Sequence, residues 1–267
     1  MTYDANGNMT NDGTNAYTWD RANRLRSMGG HAYAYDGMGS RTTQTVSSIV
    51  TNYLLDVQPN IVQVISATAS SNTENYLHSP RGIHATQDTA ENWRDILQDG
   101  LGSVRGEIND TLEVDASGAY RPYGIPTDVN GAYSQPFRFT GEMRDANALQ
   151  YHRLRFYSSD NAVFLSYDPF EALKWVPGSM NAYSWVNGNV ANLIDPSGKV
   201  GENPDDYDTC NSSSDNAFEG CFGIIRPTAQ GRVADVFMTP RYESTKVTTI
   251  MNGSRVKIFG YTSPKRS

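Results

Sequence analysis

Three short segments at the start of the chain share one pattern and recur at an even spacing. Residues 3–8 read YDANGN, residues 19–25 read WDRANRL and residues 35–41 read YDGMGSR. Each segment begins with an aromatic residue and Asp, and then turns at Asn or Gly. Regular self-similarity of this kind predicts a fold built by stacking one small unit many times. Because the array is already under way at the first residue, we expect this chain to be a piece of a much larger protein.

The repeat unit is too short to hold two helices, so its simplest structure is a β-hairpin. The chain has 16 Tyr and 23 Gly, a composition typical of short strands joined by tight turns. Asn6-Gly7 and Asp36-Gly37 are typical hairpin turns. One hairpin is marginal alone. We therefore predict a mainly β fold of stacked hairpins that form a spiral or shell, with a core region that plugs it and a small, partial β tail.

The charge and hydropathy of the chain exclude some functions. The net charge is −7, which argues against nucleic acid as a partner, because non-specific binding of nucleic acid needs a basic surface. No apolar run approaches the ~18 residues of a membrane helix. The N-terminus lacks the basic start and apolar stretch of an export signal. We expect any such signal to lie upstream of this piece.

Composition divides the chain into four parts. Residues 1–57 are the repeats, and residues 58–200 continue as strand, turn and strand and hold the densest motifs. Residues 201–225 form a polar linker, the clearest boundary in the sequence. Residues 226–267 form a variable tail, in which residues 230–260 regain the alternation of short strands.

Residues 1–199 carry a series of motifs in a fixed order. After the repeats come DGLGSVR at 99–105, FRFTGE at 137–142, LQYHRLRFY at 149–157, FLSYDP at 164–169 and IDPSG at 194–198. This series resembles the RHS/YD-repeat family, and specifically its terminal RHS repeat-associated core. The resemblance implies a long β-sheet wound into a hollow shell, with the upstream repeats as the partner of this piece. It also implies that a variable cargo, often a toxin, follows the last motif, although animal relatives serve as adhesion proteins.

The same resemblance implies a chemical activity. The family core can cut its own chain just after the second Asp-Pro motif with two aspartates, which match Asp168 and Asp195 here, and the cut falls near the Gly198–Lys199 bond. Two carboxyl groups held close together cannot both ionise, so one serves as an acid while the other activates water. Such a site needs no metal or cofactor. The alternative is that both Asp-Pro pairs only form turns, with Asp capping its own backbone and Pro fixing φ.

The other candidate sites carry weaker signals. Cys210 and Cys221 lie close together in a polar stretch, so they form either a local disulfide or two free thiols. Two cysteines without a nearby His cannot complete a zinc site. His152 lies in a strand-like segment, which favours a packed side chain over a general base.

The tail resembles the first half of a bacterial SH3 domain, through GRVA at 231–234 and the strand-like segments at 244–250 and 252–258. Such domains often bind cell-wall peptides. The chain as a whole is therefore expected to be a non-catalytic shell fragment of a large secreted or surface protein. The alternatives are a self-cleaving core that releases a C-terminal cargo in a polymorphic-toxin system, and a surface adhesin that binds glycan or protein.

Overall fold

The computed structural model describes residues 1–57, 62–79, 82–169, 177–199 and 201, together with the backbone of 224–227, 233–238 and 245–251. The chain divides into two compact units, Met1–Asp208 and Thr209–Ser267. The mainly β prediction is confirmed, since the described residues contain strands and a few 3-10 turns but no α-helix. Cys210 and Cys221, and most of the linker expected at 201–225, lie outside the described residues.

The first unit holds a short hairpin and two larger antiparallel sheets. The hairpin is β1 (Thr2–Tyr3) with β2 (Met9–Asn11). The large sheet has twelve strands in unbroken sequence order. They are β3 (Tyr17–Trp19), β4 (Leu25–Met28), β5 (His31–Tyr35), β6 (Arg41–Val46), β7 (Ile49–Val57), β8 (Val62–Ala69), β9 (Asn72–Ser79), β10 (Gly82–Gln87), β11 (Trp93–Gln98), β12 (Val104–Asn109), β13 (Val114–Tyr120) and β14 (Pro126–Gly131). The unbroken order includes β7 and β8, which lie on either side of the boundary that the sequence suggested between residues 57 and 58.

A smaller sheet follows the large one along the chain. It contains β15 (Met143–Arg144), β16 (Leu149–His152), β17 (Arg155–Ser158) and β18 (Val163–Phe164), again in sequence order. Three 3-10 turns flank it, at Phe139–Gly141, Pro177–Met180 and Val186–Gly188. The second unit contains a three-stranded antiparallel sheet of β19 (Ile224–Pro227), β20 (Val233–Met238) and β21 (Thr245–Met251).

The repeated Asp explains how the strands are joined. In the loop that starts at Asp20, the carboxylate oxygen Oδ1 accepts hydrogen bonds from the backbone N–H groups of Ala22 (2.9 Å) and Arg24 (3.0 Å), and Asn23 has a positive φ of 59°. The expected two-residue hairpin turns are therefore five-residue loops instead. The same arrangement recurs in the loops that start at Asp4, Asp36, Asp88, Asp99 and Asn109. One short carboxylate or amide satisfies two N–H groups that the turn leaves without backbone partners.

The two sheets of the first unit share a core. One cluster joins side chains of β2–β5 to β16 and β17: Met9, Tyr17, Leu25, Met28, Tyr33, Leu149, Tyr151, Phe156 and Leu165. Arg41 on β6 is fully buried in the same region, where it pairs with Asp145 at 2.7 Å and lies 4.3 Å from the centre of the Tyr151 ring. The small sheet is therefore fixed against the repeats by apolar packing and a buried ion pair, which holds β16 and β17 in place for the site described next.

Candidate functional site

The structure brings both aspartates singled out in the sequence to one side chain. Arg155 is the first residue of β17, and its Nη2 lies 2.9 Å from Asp168 Oδ2 and 3.3 Å from Asp195 Oδ2. The guanidinium is buried, and its central carbon lies 3.6 Å from the centre of the Phe164 ring. The two carboxyl groups therefore meet across a buried cation. The sequence did not single out Arg155, although a charged residue at the start of an apolar strand was a usable signal.

The peptide bond between Gly198 and Lys199 is held at both of its polar atoms. Arg155 Nε donates a hydrogen bond to the carbonyl oxygen of Gly198. The backbone N–H of Lys199 donates to Asp195 Oδ1 at 3.0 Å. A cation at a carbonyl oxygen stabilises the negative charge that develops there during attack, and a carboxyl group at the nitrogen can protonate the leaving amine. This arrangement suits hydrolysis of that bond.

Burial changes the protonation of Asp195. The residue is only 2% exposed, and its desolvation raises the pKa of its carboxyl above the usual range. Arg155 and the N–H groups of Lys199 and Gly198 oppose this rise by stabilising the ionised form. The protonated acid is thus easier to form at Asp195 than at an exposed carboxyl.

Asp168 has a different environment. Its side chain is 18% exposed, against 2% for Asp195. A cavity of about 390 Å³ adjoins it, lined in part by Arg153, Ser166 and Tyr167. Water can therefore reach the Asp168 side of the site, while the Asp195 side is closed.

Gly198 is required by its backbone conformation and by its surroundings. Its φ is +72°, a region that residues with a side chain rarely adopt. A Cβ atom at this position would lie 2.5 Å from the carbonyl oxygen of His152 and 3.1 Å from the backbone nitrogen of Arg155. Glycine is thus the residue that allows the chain to pass this close to the turn between β16 and β17.

A second ion pair, in which Glu142 is buried and Arg153 is partly exposed, supports the segment from the other side. Arg153 donates to Glu142 and, at 2.8 Å, to the carbonyl oxygen of Pro196. Burial raises the pKa of Glu142 to about 7, although Arg153 acts against this rise. Glu142 thus changes charge near neutral pH, and Arg153 links it to the segment from Asp195 to Lys199.

The described residues contain no group of three or more His, Cys, Asp or Glu that could hold a metal ion. Within the same residues, no helix is long and apolar enough to cross a membrane. His152 is fully buried, and burial lowers its pKa to about 3, so it is a neutral packed side chain at ordinary pH.

No protein-family model matches the chain. The chain is 29% identical over 211 residues to the tRNA nuclease WapA of Bacillus subtilis strain 168, a match that covers 74% of this chain. It is also 29% identical over 213 residues to the tRNA3(Ser)-specific nuclease WapA of Bacillus spizizenii. The chain spans only 9% of the length of these curated relatives.

Solved structures share the fold. A crystal structure of TcdB2-TccC3-Cdc42 superposes with a TM-score of 0.58 and 20% identity, covering 74% of this chain and 11% of that one. The Photorhabdus luminescens Tc holotoxin pore with the TccC3 mutation D651A gives a TM-score of 0.58 and 18% identity over 81% of this chain and 11% of that one. The fold is therefore related to that of RHS-repeat proteins. No comparison supports the SH3-like interpretation of the tail.

These findings correct the expected function. The expectation of a non-catalytic shell fragment, with a surface adhesin as one alternative, is wrong, because relatives that match 74% of the chain are named as tRNA nucleases. Those names specify a nuclease. The toxin alternative agrees with them only in part, since they name a nuclease and not a self-cleaving core.

Proposed function

We propose that this chain is a segment of a nuclease toxin of the RHS repeat-associated core type, and that its described residues cut the chain between Gly198 and Lys199. One observation carries the proposal. The carbonyl oxygen and the nitrogen of this peptide bond are bound by a buried arginine and a buried aspartate. The turn-forming alternative explains the contact of Asp195 with Lys199, but it gives no role to the guanidinium on the carbonyl oxygen.

The geometry supports a division of labour between the aspartates. Asp168, which borders the open cavity, takes a proton from a water molecule, and the hydroxide attacks the Gly198 carbonyl carbon. Arg155 stabilises the oxyanion. As the C–N bond breaks, a protonated Asp195 gives its proton to the nitrogen of Lys199, whose N–H donates to Asp195 Oδ1 in the intact chain. One water is consumed, and the products are a carboxylic acid at Gly198 and an amine at Lys199, which become a carboxylate and an ammonium group when the proton moves from one to the other. Transfer of the proton from Asp168 to Asp195 restores the starting state.

The tRNA-directed activity belongs, in this proposal, to residues beyond the cut. Residues 1–199 contain 14 Lys and Arg against 21 Asp and Glu, so this part repels a polyanion, and we propose that it does not bind nucleic acid. Residues 224–267 contain eight Lys and Arg against two Asp and Glu. A basic segment suits contact with the phosphates of tRNA. Self-cleavage would release this basic segment together with residues 199–223, which contain six Asp and Glu and one Lys.

The expected location of the protein follows from the same proposal. A toxin that reaches another cell is secreted or displayed on the surface, and the repeats upstream of residue 1 would form the shell to which this segment belongs. The cell-wall or glycan ligand expected from the tail stays a prediction.

The proposal is tested by the intact mass of freshly purified protein kept at neutral pH, because Asp-Pro bonds break in acid without any enzyme. We expect the wild type to split after Gly198, while Asp168→Asn and Asp195→Asn stay whole. The matched control is Asp160→Asn, which changes an exposed aspartate outside the site and should split like the wild type. A wild type that stays whole, or an Asp195→Asn variant that splits at the same bond, would overturn the self-cleavage.

The nuclease part has its own test. Purified protein, before and after the cut, is incubated with total tRNA and analysed on a denaturing gel. We expect discrete tRNA fragments from the cut sample. Intact tRNA with both samples would contradict the assignment of the nuclease to this chain.

A further inference from the structure

The turn between β16 and β17 contacts the segment before Lys199 in strict register. Four consecutive residues, 152–155, each donate a hydrogen bond to one of four consecutive carbonyl oxygens, 195–198, in the same order. The pairs are His152 Nδ1 to Asp195 O (2.7 Å), Arg153 Nη1 to Pro196 O (2.8 Å), Leu154 N to Ser197 O (3.4 Å) and Arg155 Nε to Gly198 O. Each carbonyl of this stretch thus has its own donor. We call residues 152–155 the register clamp.

His152 is the fixed end of the register clamp. It is fully buried, and three aromatic rings pack around it at steep angles, with ring centres 4.9 Å away for Trp185, 5.7 Å for Phe164 and 5.9 Å for Tyr157. A carbonyl oxygen can only accept, so Nδ1 carries the proton. Among the described residues, Nε2 has no hydrogen-bond partner. The neutral ring thus has one useful function in this place, which is to hold the Asp195 carbonyl.

Gly198 limits the register to a single setting. Gly198 has no Cβ, and this leaves room for the carbonyl oxygen of His152. A Cβ atom placed on Gly198 would lie only 2.5 Å from that oxygen. Shifting the segment by one residue in either direction would bring Ser197 or Lys199 to this position, with a side chain that does not fit. Lys199 itself is exposed, and its contacts with the site are made by its backbone N–H.

We propose that the register clamp selects the bond that is cut, and that His152 is its positioning residue. The side chain of the residue after the cut does not influence which bond is cleaved. This inference rests on the self-cleavage proposed above. It assigns the specificity of the reaction to backbone carbonyls and to Gly198, whereas a typical protease reads side chains next to the bond.

The first test moves the residue after the cut. One glycine is inserted between Gly198 and Lys199, and Lys199→Leu is made separately. The register clamp predicts that the upstream piece keeps the same mass in both variants, ending at Gly198, and that the inserted glycine begins the released piece. An upstream piece heavier by one glycine, or a changed bond in Lys199→Leu, would overturn the proposal.

The second test removes the donor but keeps the packing. His152→Phe preserves an aromatic ring and loses the N–H, and we expect cleavage to slow by about tenfold or more. His152→Asn supplies an N–H at a similar reach and should restore the rate to within about threefold. His84→Phe, a half-buried histidine on β10, is the control for a general loss of stability. Equal slowing in His152→Phe and His152→Asn would reduce His152 to a packing residue.

A third measurement does not depend on cleavage. Hydrogen exchange of the backbone amides of Leu154 and Lys199 is followed in the Asp168→Asn protein, which stays whole, with His152 unchanged or replaced. His152→Phe should speed exchange at both amides by about tenfold, and His152→Asn should restore their protection. If the wild type never cuts but exchange behaves in this way, the self-cleavage fails and the register clamp stands. If exchange is unchanged in His152→Phe, the register clamp fails whatever the cleavage shows.

Discussion

The carboxyl oxygen of Asp195 and the backbone nitrogen of Lys199 lie 3.0 Å apart, in a site where Asp195 is almost completely buried. The Asp loops of the repeats make the same contact, from Oδ1 to the N–H four residues later, but in a more exposed setting. The candidate site is thus a repeat-type loop that has been buried against β16 and β17. What distinguishes it is Arg155, which is bound both to the carbonyl oxygen of Gly198 and to two carboxyl groups.

Replacing Arg155 should strongly slow cleavage of the Gly198–Lys199 bond. Arg155→Lys keeps the charge, but an ammonium cannot reach the Gly198 carbonyl and both aspartates with a rigid planar group. We expect the cleavage rate to fall by about 10²-fold or more, as for loss of an oxyanion donor. The rate is measured by gel densitometry over time. Arg26→Lys, an exposed arginine on β4, should leave it unchanged, and a similar drop in this control would point to a global effect.

Gly198→Ala should both block cleavage and destabilise the first unit. The added Cβ would clash with the carbonyl oxygen of His152 at 2.5 Å, and the alanine would have to adopt a positive φ. We expect a loss of about 1–3 kcal/mol in the free energy of unfolding, measured with urea. Gly100→Ala is the matched control, because a Cβ atom added there would meet nothing within 4 Å, and it should stay within about 0.5 kcal/mol of the wild type. A neutral Gly198→Ala would disprove the close approach.

The Asp residue that starts a repeat loop should stabilise the fold through its carboxylate. Asp20→Ala removes the acceptor of two backbone N–H groups and the partner of Arg24, so we expect a loss of about 1–2 kcal/mol in the free energy of unfolding. Asp110→Ala changes the second residue of the loop at Asn109 and should cost much less. Equal losses in the two variants would show that charge, and not the loop hydrogen bonds, accounts for the effect.

Glu142 should couple stability to pH near neutrality. Its pKa is about 7 in the folded protein and 4.5 when unfolded, so between these values the folded state binds the extra proton. Stability from this group therefore falls as pH rises from about 4.5 to about 7, by roughly 3 kcal/mol at most. The buried His152 and His78 act in the opposite direction, so the test is the difference between wild type and Glu142→Gln, in which their contributions cancel. Parallel curves of unfolding free energy against pH would refute the assignment.

Much of the fold was accessible from the sequence, because alternating residues and Asp-led turns determine strands and loops locally. Asp168 and Asp195 could also be proposed from the sequence, since each precedes a proline in a recognisable motif. Arg155 was missed because its role depends on tertiary structure: it lies 40 residues before Asp195, and only the pairing of β16 with β17 turns it toward the carbonyl of Gly198. The five-residue length of the loops was missed for a related reason. It depends on a positive φ at the fourth residue, which can be Gly, Asn, Glu or Leu.

Hydrolysis of the Gly198–Lys199 bond can be followed in water enriched in ¹⁸O, by intact mass and N-terminal sequencing of the wild type at neutral pH. We expect an upstream piece that ends at Gly198 and has gained one heavy oxygen in its new carboxylate, and a released piece that begins with Lys199. A chain that stays whole, or a cut at a different bond, would contradict this expectation.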